Sequence, residues 1–266
     1  MFQLRQILFP VDFSPRCRGA AAYVQALAGR FQADLILLHV IEATYNSRLE
    51  DLHGSRMEKF DTFLDKSWKH LRVEKLVEHG EAARKIVECA ATRHADLIMI
   101  PTQGMGIYRR LILGSTSAKV LHDADCPVWT GVHLEKAPGL EAVACQRILC
   151  AVDLKPSSAR VLDWACRVAE EYQAELTLVY VAPGGESAAA RTQAQTALEQ
   201  LRTATDYPVN VRVEAGDAST VVANLAGKLN ADLLVIGRKS AAGVLGRLDM
   251  TAYSIIRQSP CPVVSV

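Results

Sequence analysis

The sequence repeats itself. RQILFPVDFSPRCRGAAAYVQALAGRFQADLILLHVIEA near the start aligns without a gap on QRILCAVDLKPSSARVLDWACRVAEEYQAELTLVYVAPG, so that Ile7 meets Ile148, Asp12 meets Asp153, Ala33 meets Ala174 and Val40 meets Val181. Later stretches, ADLIMIPTQGMGIYRRLILGSTSAKVLHDADCPV and ADLLVIGRKSAAGVLGRLDMTAYSIIRQSPCPV, align in the same way. Two copies of one unit, each long enough to bury its own core, constrain the fold more than any motif does.

Each copy opens with an apolar run ending in Asp, then a Ser- and Pro-bearing turn, an Ala-rich amphipathic segment and a second apolar run. That order reads as strand, helix, strand, with both strands buried and a right-handed crossover. In the first copy, Asn46 to Leu71 carries Leu49, Leu52, Phe60, Phe63, Leu64 and Trp68 among charges and predicts a long amphipathic helix. The apolar stripe Phe60, Phe63, Leu64 and Trp68 reads as core or domain contact rather than a ligand box. The counterpart, Ser187 to Ala204, is an Ala, Gln and Thr mixture. Short strands over Arg72 to Val77 and Val209 to Val213 follow, then a Gly turn and a third helix in each copy. After the central strand and a fourth helix, each copy closes on Cys-Pro-Val with strands over Pro127 to Val132 and Pro262 to Val266. Five strands alternating with four helices, twice, predict two Rossmann-like, doubly wound α/β domains, each a five-stranded parallel sheet flanked by helices. The expected boundaries are 1–133 and 144–266, joined by a short linker, 134–143, that contains a Pro-Gly pair.

Several function classes are disfavoured. Lys and Arg number 30 against 29 Asp and Glu, with no basic stripe, so no nucleic-acid or anionic-membrane partner is expected. MFQLRQILFPVDFS enters a strand within its first residues and does not look like a signal peptide or membrane span, so a cytoplasmic location is expected. The seven cysteines show neither C-x-x-C nor zinc-ligand spacing. Most are expected to be buried thiols, with Cys145 and Cys150, near the join, the ones that exposure would make redox-sensitive. The histidines, all in the first copy, lack metal-binding spacing, and no metal is predicted. There is no nucleophile elbow, complete Walker loop or carboxylate pair with a base, so no catalytic residue is assigned and at most slow ATP hydrolysis is expected.

The candidate site lies where the central strand ends. Gly104 and Gly106 loosen the loop after Pro101, and Gly114-Ser115-Thr116-Ser117 leads into a helix. Small residues at a strand's carboxyl end and a helix N-terminus allow an anion to approach free N–H groups and the helix dipole. Arg109 and Arg110 read either as phosphate donors or as a solvated face. Asp12 and Asp153 end their strands and read either as ligand contacts or as caps of the Ser14-Pro15 and Lys155-Pro156 turns. His39, whose counterpart is Tyr180, reads as a packing residue.

V-D-x-S/K near the start, L-x-H/Y-V at strand two, G-x-A before the third helix, the glycine loop with G-S-T and the closing C-P-V resemble the universal stress protein family, over nearly the whole chain and twice. The resemblance implies a stress-response module binding ATP or another adenine nucleotide. In the nucleotide-binding branch, a loop of pattern G-x-x-G, nine residues, then G-[ST] wraps the phosphates, while the Asp after strand one and the Val after strand two meet the adenosine. In the first copy these map to Asp12, Val40, Gly104, Gly114, Ser115 and Thr116, with Pro101 in the first glycine's place. In the second they map to Asp153, Val181, Gly237 and Thr251, with Ser240 replacing the second glycine and Asp249 or Met250 the third. The expectation is therefore nucleotide binding in the first domain and a degenerate second site. The competing expectations are a nucleotide-independent interaction scaffold, or a different small molecule in the second domain. In the family the last strand commonly pairs across a two-fold interface, a pairing a tandem chain can make internally through its closing strands Val128 to Val132 and Val263 to Val266, and a homodimer of the whole chain stays open beside it.

Overall fold

The protein is described from a computed structural model that covers residues 4–42, 60, 62–63, 68–101, 113–131, 143, 145–184, 187–238 and 250–266. The described residues up to Val143 form one compact unit, and those from Cys145 onward form another. The first unit runs β1 (Gln6–Pro10), α1 (Pro15–Phe31), β2 (Asp34–Ile41), β3 (Val73–His79), α2 (Ala82–Thr92), β4 (Leu97–Pro101), α3 (Ser115–Asp123) and β5 (Val128–Gly131). Its sheet order is β3-β2-β1-β4-β5, every pairing parallel. The second unit runs β6 (Arg147–Val152), α4 (Ser158–Tyr172), β7 (Glu175–Ala182), α5 (Ala188–Thr203), β8 (Val209–Ala215), α6 (Ala218–Lys228), β9 (Leu233–Ile236), α7 (Met250–Gln258) and β10 (Val263–Ser265). Its order, β10-β9-β6-β7-β8, is the same and again wholly parallel.

Both units are thus the five-stranded Rossmann-like α/β layout read from the sequence, with differences at the edges. β3 starts one residue later than Arg72 and both β3 and β8 run two residues further, because they pair with β2 and β7 as far as His79 and Ala215. Most of the long helix predicted over Asn46 to Leu71 lies outside the described residues. Phe60, Phe63 and Trp68 are described, and all three are buried.

The duplication extends to backbone conformation. Phe13 and Leu154 (φ 60° and 58°), Gln32 and Gln173 (53° and 54°), and His94 and Asn230 (52° and 48°) are left-handed at matching positions. Gly80 and Gly216, at φ 137° and 138°, hold a conformation that only glycine adopts readily. The left-handed glutamines close α1 and α4, where their N–H groups meet the last carbonyls of each helix. α1 opens on Ser14, whose Oγ accepts from Cys17 N at 3.1 Å, with Pro15 in the first turn where its missing N–H costs nothing.

A carboxylate ties the central strands at their amino ends in both units. Asp96 Oδ2 accepts from Arg5 N and Gln6 N at 2.8 and 2.9 Å, and Asp232 Oδ2 accepts from Gln146 N and Arg147 N at the same distances. Among the described residues, no helix is long and apolar enough to cross a membrane.

Candidate functional site

Strand order reverses between β1 and β4, and again between β6 and β9. At such a point neighbouring connections leave to opposite faces, and a crevice opens beyond the carboxyl ends of the strands. In the second unit that crevice is a cavity of about 440 Å³, within the range of small-molecule sites. Asp153, Val181, Gly237 and Thr251, singled out from the sequence, all line it. Ser240 lies outside the described residues.

Asp153 is held by its own chain. Oδ1 accepts from Lys155 N at 3.1 Å and Ser158 Oγ at 3.3 Å, while Oδ2 meets Lys155 Nζ at 2.7 Å. Burial opposes the charge, but the Lys155 ammonium and these hydrogen bonds outweigh it and hold the carboxyl below its ordinary range. The stabilisation from the ionised carboxylate is therefore present above the ordinary value of 3.8 and is lost as pH falls through the depressed one. Lys155→Met is expected to lower the second unit's melting temperature slightly at neutral pH, and the difference should close in acid. A difference that persists unchanged below pH ~2 would show the lysine acting through packing instead.

Arg238, at the end of β9, lines the same cavity and is only 5% exposed. Motif reading passed over it, because it sits between a retained and a replaced glycine. Gly237 marks a close approach: a Cβ there would stand 3.2 Å from Val161 Cγ2 of α4. In the first repeat the aligned residues are Pro101 and Ala20, a larger residue at the strand's end and a smaller one in the helix.

In the first unit Asp12 Oδ1 accepts from Ser14 N at 2.9 Å, the turn-capping role anticipated for it, and no described cation pairs with it. Val40 is half-buried near the end of β2. Pro101 is the last residue of β4, opposite Gly131, and its carbonyl accepts from Ser117 Oγ at 3.2 Å. Gly114 is the N-cap of α3, with Ser115 and Thr116 as its first residues. Gly104, Gly106, Arg109 and Arg110 lie outside the described residues.

Two prolines shorten the ladder beside this crevice. Val11 N donates to Leu38 O on β2, so alternation puts the N–H that Pro10 lacks on the β4 side. Ile98 N donates to Pro127 O, so the N–H that Pro101 lacks falls on the β1 side. The β1–β4 pairing accordingly stops at Leu8 and Ile98, whereas β6–β9, with Ala151 and Gly237 at those places, continues to Ala151 and Ile236. A second difference is Glu42, whose Oε1 accepts from Ala82 N at 2.9 Å and so sets a carboxylate on the α2 N-terminus. Its aligned residue in the second repeat is Pro183.

His39 is buried, its Nδ1 2.7 Å from Val11 O and its ring 4.6 Å from that of Phe13. Phe60 and Phe63 pack on Phe13 at 6.1 and 5.5 Å, Lys75 lies 5.9 Å from the Phe60 ring, and Arg18 lies 5.5 Å from that of Phe63. The aromatic stripe is core, with cations at its rim. Among the described residues no cluster of His, Cys, Asp or Glu could hold a metal ion.

At the join neither Cys145 nor Cys150 meets the condition of exposure set for redox sensitivity. Cys150 is fully buried, and desolvation drives its thiol far up. Burial, then Asp232 and Cys261, pushes Cys145 up to about 12, and burial takes Cys261 to about 11. Such thiols hold little thiolate at neutral pH.

Each unit is thus a parallel, doubly wound α/β layout with one switch point in its strand order. The universal stress protein family model matches residues 3–130 and 145–266, and the chain belongs to that family. A universal stress protein of Synechocystis is 29% identical over 48% of this chain and 85% of its own length, and one from Thermus aquaticus is 30% identical over 47% of this chain and 96% of its own. The crystal structure of a universal stress protein from Archaeoglobus fulgidus shares the fold at a TM-score of 0.83, covering 99% of this chain and 98% of its own at 24% identity.

Proposed function

We propose that the chain is a cytoplasmic stress-response module that senses small molecules through two unequal crevices, with an adenine nucleotide such as ATP bound in the first repeat and an unlike ligand in the second. The cavity of about 440 Å³ at the second switch point supports the ligand-binding reading, because four residues nominated from the family resemblance line it. The nucleotide reading of the first repeat is supported by the Gly104…Gly114-Ser115-Thr116 spacing and by Asp12, which no described cation neutralises. The Gly114 N-cap and the small residues after it suit a phosphate at the α3 N-terminus.

A scaffold reading, free of nucleotide, draws on the two prolines and on Glu42. The prolines remove N–H donors beside the first crevice, and Glu42 already supplies an anion at α2.

Calorimetric titration with ATP separates the readings. Saturable binding is expected, reduced at least tenfold by Asp12→Ala and unchanged by Asp153→Ala. Absence of heat at millimolar ATP, with the protein folded, would leave the scaffold. Loss through Asp153→Ala alone would move the nucleotide to the second repeat.

A further inference from the structure

We infer, resting on the reading of the second crevice as a ligand site, that its ligand is an uncharged, largely apolar small molecule that gives one hydrogen bond to the Gly237 carbonyl.

The walls set the apolar body. Val161, Val179, Val222, Ile236 and Ile255 line the cavity of about 440 Å³. Such walls gain from a ligand by taking its apolar surface out of water, and they penalise a charge that arrives without a partner.

The charged side chains of the described lining are already engaged. Asp153 Oδ1 accepts from Lys155 N and Ser158 Oγ, and Oδ2 meets Lys155 Nζ at 2.7 Å. Arg238 has an interaction of its own. A charged ligand must displace one of these contacts to find a counter-ion, whereas an uncharged one leaves all of them in place. The helix beside the cavity is no better seat for an anion. In the first repeat Gly114 is the N-cap of α3, while in the second the sequence sets Asp249 immediately before α7, which opens on Met250. A carboxylate at that point repels a phosphate or a carboxylate ligand.

The hydrogen bond follows from a difference between the repeats. In the first, Ser117 Oγ of α3 donates to the carbonyl of Pro101 at the end of β4. Counted back from the shared Cys-Pro-Val, the residue in that serine's place is Ala252 of α7, and the carbonyl is that of Gly237. Both line the cavity. A methyl has no proton to give, so the Gly237 carbonyl lacks the tie that Pro101 has. Leu234 N donates to Pro262 O, and alternation along the strand then turns Gly237 to the β6 side, where the crevice opens. An amide N–H or hydroxyl on the ligand supplies the missing donor, and burial among aliphatic walls makes that bond worth having.

The test uses the whole chain and five probes: octanamide, methyl octanoate, octanoate, adenosine and ATP. Binding is read by calorimetry, and its location by hydrogen exchange over 151–158 and 250–256. Octanamide is expected to bind saturably and protect both segments. Methyl octanoate, which has no donor, should bind severalfold weaker, and octanoate at least tenfold weaker. Ala252→Ser places a hydroxyl where Ser117 stands in the first repeat, so it should weaken octanamide severalfold and leave the ester unchanged. The amide, ester and acid are compared on the unaltered chain, so that comparison holds whether or not the variant folds.

Octanoate binding as tightly as octanamide would overturn the uncharged class. Equal affinity for amide and ester, or an Ala252→Ser chain that spares the amide or weakens both alike, would overturn the Gly237 contact. Protection of the same segments by adenosine or ATP but not by octanamide would overturn the ligand chemistry and leave the crevice as a site. Protection by none of the five at millimolar concentration would overturn both.

Discussion

Phe60→Ala is expected to destabilise the first unit by about 3–5 kcal/mol, the range for emptying a buried phenylalanine site. Phe60 is wholly buried, its ring lies 6.1 Å from Phe13 and 6.0 Å from His39, and Lys75 sits beside it. The aromatic groups touch one another around the turn that presents Asp12, so a cavity there cannot be closed by moving one side chain. Phe13 is already in a left-handed conformation, which limits how it can follow. Trp68 and Trp129 report on the first unit, and Trp164 on the second. Denaturant unfolding followed by fluorescence should show one early transition for the first unit and an unshifted one for the second. A loss below about 1 kcal/mol would mean that the phenylalanine contributes little to the core.

The strand–helix order was legible in the sequence because the strands are buried on both faces and so read as continuous apolar runs, as in LILLHVI and LLVI. Duplication made this reading robust, since each element could be checked against its twin. The turns after β1 and β6 were located by Asp12 and Asp153, but their left-handed Phe13 and Leu154 carry no signal: neither is a residue type that favours that conformation. The Asp96 and Asp232 ties were visible only as a repeated Ala-Asp, because a carboxylate that spans two strands bonds to backbone some ninety residues away in sequence. Arg238 was missed for a different reason. Burial of a cation follows from the end of β9 and the cavity beyond it, and nothing in a string of letters shows that a polar residue in a glycine-rich loop is inside. Pro101 was recognised as standing in the first glycine's place, yet Pro10 was not recognised as its neighbour across the ladder. That relation needs the parallel register of β1 and β4 as well as the residue types.

The exchange of proline and glycine between the repeats gives the second large effect. Gly237→Pro is expected to cost the second unit about 2–4 kcal/mol, from overpacking of about 1–3 kcal/mol against Val161 and the loss of a ladder hydrogen bond worth about 1 kcal/mol. The first contribution follows from the 3.2 Å that separates a Cβ at Gly237 from Val161 Cγ2. The second follows from register: Leu234 N donates to Pro262 O, so the Gly237 N–H falls on the β6 side, where the ladder still holds at Ala151 and Ile236. Val161→Ala by itself should cost about 1–2 kcal/mol through its lost methyl groups. In the double variant, the alanine, the residue type at the aligned position 20 of the first repeat, makes room for the ring, and the two costs should fall short of their sum by about 1 kcal/mol or more. Strict additivity would refute the steric half of the argument and leave the hydrogen bond to explain the proline's whole cost. Coupling of the expected sign would identify the strand end and the helix start as one co-adapted pair. The two repeats would then have reached different crevices by trading volume across that contact, with the first losing ladder and the second keeping it.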